Sequence, residues 1–233
     1  MNLVTFSGPP SSGKTAVILK TINALKERDI NVGVVKFDCL YTDDDELYAK
    51  EGIPVKKGLS GSLCPDHYFV SNIEEVVQWG RKKDLDMLIT ESAGLCNRCS
   101  PYINEIKAIC VIDNLSGINT PRKIGPMLKR ADMVVITKGD IVSQAEREVF
   151  ASRVSDVNPS ALVMHVNGLT GQGAYEFSTL LYDEEEDIET VTGRKLRFSM
   201  PSAMCSYCLG ETRIGDEHQL GNVKKIELGD DND

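Results

Sequence analysis

An α/β fold is predicted, with an open, mostly parallel sheet and helices on both faces. Three observations predict it. Short Val- and Ile-rich segments alternate with helical stretches over residues 1–182. These segments lack interleaved polar positions, as strands buried on both faces do. The first of them runs directly into a glycine-rich loop and then a helical pattern, the strand–loop–helix order of a βαβ sheet that holds its ligand at the carboxyl ends of the strands.

Strands are expected at 2–6, 31–37, 86–90, 108–112, 133–137 and 162–166, and helices at 14–28, 43–51, 72–82, 121–130, 143–155 and 174–181. No internal repeat is visible. At residue 183 the character changes: Asp183 to Asp187 and Glu189 form an acidic run that reads as a solvated linker. A possible strand at 191–199 and a Cys-bearing tail follow, and residues 229–233 are expected to fray. The chain thus divides into 1–182, a linker at 183–190, and a tail at 191–233.

A chain of 233 residues with 41% hydrophobic and 26% charged residues has the composition of a soluble globular domain with a real core. No window approaches the roughly 18 apolar residues of a membrane span. Against 35 Asp and Glu stand 26 Lys and Arg, for a net charge of −9, which argues against general nucleic-acid binding. The glycine-rich motif begins by residue 8 and leaves no room for a cleavable signal, so a cytoplasmic location is expected.

The motif Gly8-Pro9-Pro10-Ser11-Ser12-Gly13-Lys14-Thr15 fits G-x-x-x-x-G-K-[ST] between a strand and a helix, the context of a P-loop NTPase. Gly8 and Gly13 permit backbone angles that aim N–H groups, Ser11 and Ser12 among them, at phosphates. The following helix adds its positive N-terminus. Lys14 is expected to reach the β- and γ-phosphates and the Thr15 hydroxyl to ligate Mg²⁺. Glu91, at a strand end, suits a Mg²⁺-site carboxylate, and Gly94 suits an amide that senses the γ-phosphate. Asp38 ends the second strand; it is a candidate for holding Mg²⁺ or orienting the attacking water, and equally a turn acid.

Thr137-Lys138-Gly139-Asp140 fits the [NT]-K-x-D motif. A carboxylate at Asp140 accepts from guanine N1–H and its amine, donors that adenine lacks on that edge. The Lys138 stem can lie over the ring. Asn167 and Gly168, after the last strand, are placed to offer a backbone amide to guanine O6. GTP is therefore favoured over ATP.

Seven cysteines with no export signal point to a reducing compartment, where thiols bind metal, react or lie buried. Cys64 lies beside His67, Cys96 pairs with Cys99 and Cys205 with Cys208, while Cys39 and Cys110 stand alone. Cys96 and Cys99 directly follow Gly94 on an expected switch. Such a pair could couple metal affinity to nucleotide state, or be a redox pair, although no thioredoxin-like pattern surrounds it. Two C-x-x-C pairs also permit an iron–sulfur cluster. His165 reads as a satisfied core histidine, and Trp79 and Tyr207 as packing residues.

Together these residues resemble the metallocentre-assembly GTPases, the hydrogenase nickel-incorporation and urease accessory type, within the P-loop class of the signal-recognition GTPases and the nitrogenase iron protein. The resemblance covers about residues 1–182. It is carried by GPPSSGKT, by Asp38 with Thr42 and Asp45, by GSLCPDH at 61–67, by Glu91 to Gly94, by TKGD, and by NPSALVMHVNGLTGQG at 158–173. Two features depart from it: Asp66 intervenes in a motif that is usually C-P-H or C-H, and the loop after Asp38 is one residue longer. Pro9 stands where the nitrogenase-type ATPases carry a second lysine.

The resemblance implies a GTPase with slow intrinsic turnover that dimerises face to face on GTP and shares a metal across the interface through Cys64 and His67. Ni²⁺ or Zn²⁺ suits thiolate plus imidazole. It further implies delivery to a client metalloenzyme or its accessory proteins. Cys96, Cys99, Cys205 and Cys208 are additional candidate ligands. An iron–sulfur electron donor and a metal-free GTP switch are the competing expectations.

Overall fold

The computed structural model describes residues 1–94, 100–198, 210–219 and 221–229. Seven strands form one sheet: β1 (Asn2–Ser7), β2 (Val32–Asp38), β3 (Val55–Leu59), β4 (Met87–Ser92), β5 (Lys107–Asp113), β6 (Met133–Thr137) and β7 (Leu162–His165). Their order is β3-β2-β4-β1-β5-β6-β7, and every pairing is parallel. All carboxyl ends therefore face one edge, and β1 lies at the centre with β4 and β5 as neighbours.

Alternation along β1 divides the core. Val4 and Phe6 pack on α1 (Lys14–Lys26) and α8 (Ala174–Leu181), where Phe6 meets Phe177 edge to face at 6.1 Å. Leu3, with Val35 and Phe37 of β2, points to the other face, against α3 (Pro65–Val70) and α4 (Ile73–Lys82). Further along that face, Ala108, Cys110 and Ile112 pack on α6 (Pro126–Lys129) and α7 (Gln144–Val157). Cys110 is wholly buried, and burial pushes its thiol up to about 12, which leaves it inert. Helix α7 starts with a capping box between Ser143 and Glu146.

All six expected strands form, and two elements are new. β3 carries Lys56 and Lys57 and buries only Gly58 fully, as an edge strand does, so no apolar run announces it. Helix α3 is a six-residue turn opened by Pro65. The helix expected over 121–130 is broken into α5 (Thr120–Lys123) and α6. Gly125, at φ 55, precedes Pro126, whose ring disfavours a helical residue before it. α2 spans Asp44–Lys50, close to expectation.

The acidic run differs from a free linker. Glu184 and Glu185 are exposed as expected, but Ile188 and Val191 are buried against the α4 face. Asp187 pairs with the Met1 amine and with Arg81 at 2.7 Å. A mostly acidic segment still has room for single apolar anchors, each stabilising by about 1.5–3 kcal/mol when buried. No strand forms over 191–198; isolated antiparallel bridges join Ile103 to Leu196 and Lys195 to Arg213. Ile214 and Ile226 then cover α3 and α4 as part of the same core cluster.

Candidate nucleotide site and thiol helix

The loop between β1 and α1 is held in shape by its glycines. Gly8, at φ 148, lies so close to β5 that a Cβ would stand 2.0 Å from the Val111 carbonyl oxygen. Gly13, at φ 90, turns the chain into α1, and Ser11 also has positive φ, at 60. Ser12 is buried beneath the loop. The Lys14 ammonium donates to the carbonyls of Gly8 and Pro9, both at 3.0 Å, so it closes the loop on itself. Burial lowers the pKa of this lysine.

Glu91 is the hub. It is wholly buried on β4, in register with Phe6 of β1 and Lys36 of β2. Its Oε1 accepts from the Thr15 hydroxyl at 2.9 Å and from the Lys36 ammonium at 2.7 Å. Its Oε2 accepts from the Tyr48 hydroxyl at 2.8 Å. Lys36 also pairs with Asp44 at 2.6 Å and lies 3.9 Å from Asp38. Burial opposes the charge on both Lys36 and Asp44, but their partners outweigh it: Lys36 titrates above its ordinary value and Asp44 below.

Thr15, Asp38 and Glu91, the expected Mg²⁺ residues, are thus brought to one cleft of about 490 Å³ together with Lys14. A hydroxyl and carboxylates are hard oxygen donors, so this donor set fits Mg²⁺. Three participants belong to none of the sequence motifs: Lys36, Asp44 and Tyr48. A lysine inside the apolar run VGVVKFD was the available signal, since lysine is almost never fully buried without a partner. Asp45, quoted in the resemblance, points elsewhere and pairs with Lys57 at 2.8 Å; its neighbour Asp44 takes the place at the site. Gly94, at φ 68, lies against the phosphate loop, where a Cβ would stand 1.8 Å from the Gly8 carbonyl oxygen.

The Thr137–Asp140 loop is tied to the glycine-rich loop. The Thr137 hydroxyl donates to the Ser12 carbonyl at 2.6 Å, and Lys138, in a left-handed conformation, donates to the Ser11 carbonyl at 2.7 Å. Asp140 is exposed in a cleft of about 340 Å³ that Asn167 and Arg147 also line. Asn167 shapes its own loop by accepting from the amides of Leu169 and Thr170. Gly168 packs on α1, where a Cβ would meet Ala16 at 2.8 Å. His165 is not a core histidine: it ends the edge strand β7, is exposed, and lines the Asp140 cleft.

The thiol helix hangs from the same strand. Cys64 caps α3 and is half-buried. Asp66, the residue that departs from the family motif, is buried and accepts from the Ser92 hydroxyl at 2.9 Å. Glu91 and Ser92 are successive strand residues and point to opposite faces, one to the nucleotide cleft and one to α3. His67 is buried, with its Nε2 3.1 Å from the Asn222 carbonyl, under the C-terminal segment. Burial lowers its pKa. Among the described residues, no three His, Cys, Asp or Glu side chains converge as a metal cage. Cys96, Cys99, Cys205 and Cys208 lie outside the described residues, as does Tyr207.

A parallel sheet with a glycine-rich phosphate loop at its central strand, and a lysine, a threonine and a carboxylate converging there, defines a P-loop nucleotide-binding protein. Within that class the chain belongs to the CobW/HypB/UreG nucleotide-binding domain family, which it matches over residues 2–165. It is 49% identical over 227 residues, 97% of each chain, to an uncharacterized protein of Methanocaldococcus jannaschii. It is 28% identical over 194 residues to the urease accessory protein UreG 2 of a Bradyrhizobium species, spanning 78% of this chain and 90% of that one. The structure of HypB from Helicobacter pylori in complex with nickel shares the fold at a TM-score of 0.62 and 20% identity, covering 81% of this chain and 92% of that one. No described helix is long and apolar enough to cross a membrane.

Proposed function

We propose that this chain is a GTP-hydrolysing metallochaperone that carries a metal, nickel in the first instance, to a client metalloenzyme or its accessory proteins. The observation that carries the reading is the pair Glu91–Ser92: one residue bonds the Thr15 hydroxyl of the phosphate loop, the next bonds Asp66 in the helix that Cys64 caps. Nucleotide state and thiol geometry then share one strand end.

In this reading the loop amides of Gly8 to Gly13 and Lys14 receive the phosphates, and Asp140 selects guanine. Lys138 flanks the base, and the Asn167–Gly168 turn closes its far side. Thr15, Glu91 and Asp38 hold Mg²⁺, which supplies charge neutralisation on the β- and γ-phosphates. Asp38 or a neighbour orients the attacking water. Gly94 reports the γ-phosphate to the segment carrying Cys96 and Cys99.

Nickel, or zinc, is cargo. Two ligands per chain are too few for a closed site, so a homodimer formed on GTP binding completes it. Cys64 is the accessible member of its pair. His67 joins when its contact with Asn222 opens. Cys205 and Cys208 are reserve ligands in the tail. The setting is the cytoplasm, where thiols stay reduced.

The experiment is metal and nucleotide analysis of anaerobically purified protein with GTP, with GDP and with neither. Colourless protein that holds nickel or zinc only with the triphosphate supports the reading. Brown protein with a cluster spectrum supports an electron donor instead, and metal-free protein in every state leaves a bare nucleotide switch.

A further inference from the structure

We propose that Lys36 is a resident counter-ion of the Mg²⁺ site, a tethered cation that a divalent ion must displace from Glu91 on binding. The inference rests on the reading of this cleft as a Mg²⁺–nucleotide site and concerns a residue that the site's motifs do not contain. The Lys36 ammonium is 2.7 Å from Glu91, 2.6 Å from Asp44 and 3.9 Å from Asp38, and its side chain is 4% exposed. It therefore stands among the same carboxylates that would hold Mg²⁺, and it shares Glu91 Oε1 with the Thr15 hydroxyl.

The chemistry of this arrangement is specific. Without a cation, the half-buried Asp38 and Asp44 and the wholly buried Glu91 would repel one another and draw protons. Lys36 supplies one positive charge from β2, in register with Glu91, so its position is fixed by the sheet. A divalent ion at the same carboxylates cannot share them with an ammonium, because like charges repel strongly where water is excluded. The two cations alternate. Protein carboxylates alone do not displace Lys36 in favour of a divalent ion; the added phosphate oxygens of a bound nucleotide do. Divalent binding thereby becomes conditional on nucleotide, and the site stays formed between turnovers. Displaced from Glu91, the ammonium keeps Asp44, 2.6 Å away and outside the Mg²⁺ set, as its partner.

The test is Mn²⁺ affinity, read by the paramagnetic resonance of free Mn²⁺, in full-length wild type, Lys36→Met and Lys36→Arg, each without nucleotide and with GDP. Wild type and Lys36→Arg should bind Mn²⁺ weakly without nucleotide, and Lys36→Met at least about tenfold more tightly, a difference of about 1.4 kcal/mol. Equal or weaker binding by folded Lys36→Met overturns the proposal. If that variant does not fold, a crystal structure of wild type with Mn²⁺ and GDP decides. Lys36 Nζ beyond hydrogen-bond reach of Glu91 Oε1 supports the exchange, and Nζ still bonded there with the metal bound refutes it. Failure of wild type to bind GDP or GTP at all would instead remove the nucleotide reading on which the inference stands.

Discussion

The nucleotide cleft and the thiol helix hang from one strand end, yet they are built in opposite ways. The cleft draws its groups from the centre of the sheet: Glu91 on β4 and Lys36 on β2 are buried and fixed by parallel register, and the half-buried Thr15 sits in the first turn of α1, directly after the loop that leaves β1. The thiol helix is six residues long, lies on one face, and is covered by a C-terminal segment held through Asn72, Ser71 and Glu75. Groups on central strands are held stiffly, whereas a short helix under a strap can shift with it. The contrast assigns rigidity to the phosphate chemistry and adjustability to the ligand side.

Substitutions can break the contrast, beginning at its stiff end. Glu91→Ala leaves Lys36 without its wholly buried partner. It should cost about 3–5 kcal/mol in thermal denaturation, the usual cost of breaking a buried pair. A loss below 1 kcal/mol would contradict the hub. Lys14→Ala should lower GTP turnover by roughly 10²–10³-fold, as loss of one phosphate-stabilising donor does; unaltered single-turnover rates would remove the phosphate assignment. Asp140→Asn should cut GTP affinity by about 10–100-fold through lost charged hydrogen bonds, and shift preference toward xanthine nucleotides. Tight GTP binding by this variant, measured by fluorescence titration, would reject the guanine assignment.

At the adjustable end the expected effect is smaller and depends on pH. Glu74 of α4, the helix that follows α3, accepts from the amides of Val191 and Thr192 and so anchors the segment after the acidic run, which shares a core cluster with the C-terminal strap. Burial pushes its carboxyl up, but these bonds and those from Gln78 and Thr190 outweigh it and hold it below the ordinary range. A depressed pKa means that its stabilisation is full above the ordinary glutamate value of about 4.3 and is lost as pH falls through the lower folded value. The protection factors of the Val191 and Thr192 amides, in which the acid slowing of intrinsic exchange is divided out, should fall on acidification through that window in wild type. In Glu74→Ala protection should be low throughout. A wild-type profile that matches the variant's at neutral pH would show that the carboxylate does not hold this segment.

The sequence made the cleft far more legible than the thiol side, and the reason is physical. GPPSSGKT and TKGD are legible as local motifs because each is a run of successive residues in a single loop. Glu91 was readable because it ends a buried apolar run. Lys36 leaves one local mark, a lysine inside an apolar strand, which names no partner across the sheet; Asp44 and Tyr48 arrive on α2 from outside every motif, and no local pattern encodes that. Asp66 appeared as an interruption of a metal motif until its bond to Ser92 gave it a partner. The acidic run read as solvated because composition averages over Ile188, whose single buried side chain ties the segment down.

The coupling itself is tested most directly by calorimetric titration of nickel into the empty, GDP-bound and non-hydrolysable-GTP-bound protein, in wild type and in Asp66→Asn. Wild type should bind nickel at least about tenfold more tightly in the triphosphate form, about 1.4 kcal/mol of coupling, and Asp66→Asn should erase most of that difference. Equal nickel affinities across the three wild-type states would contradict the account.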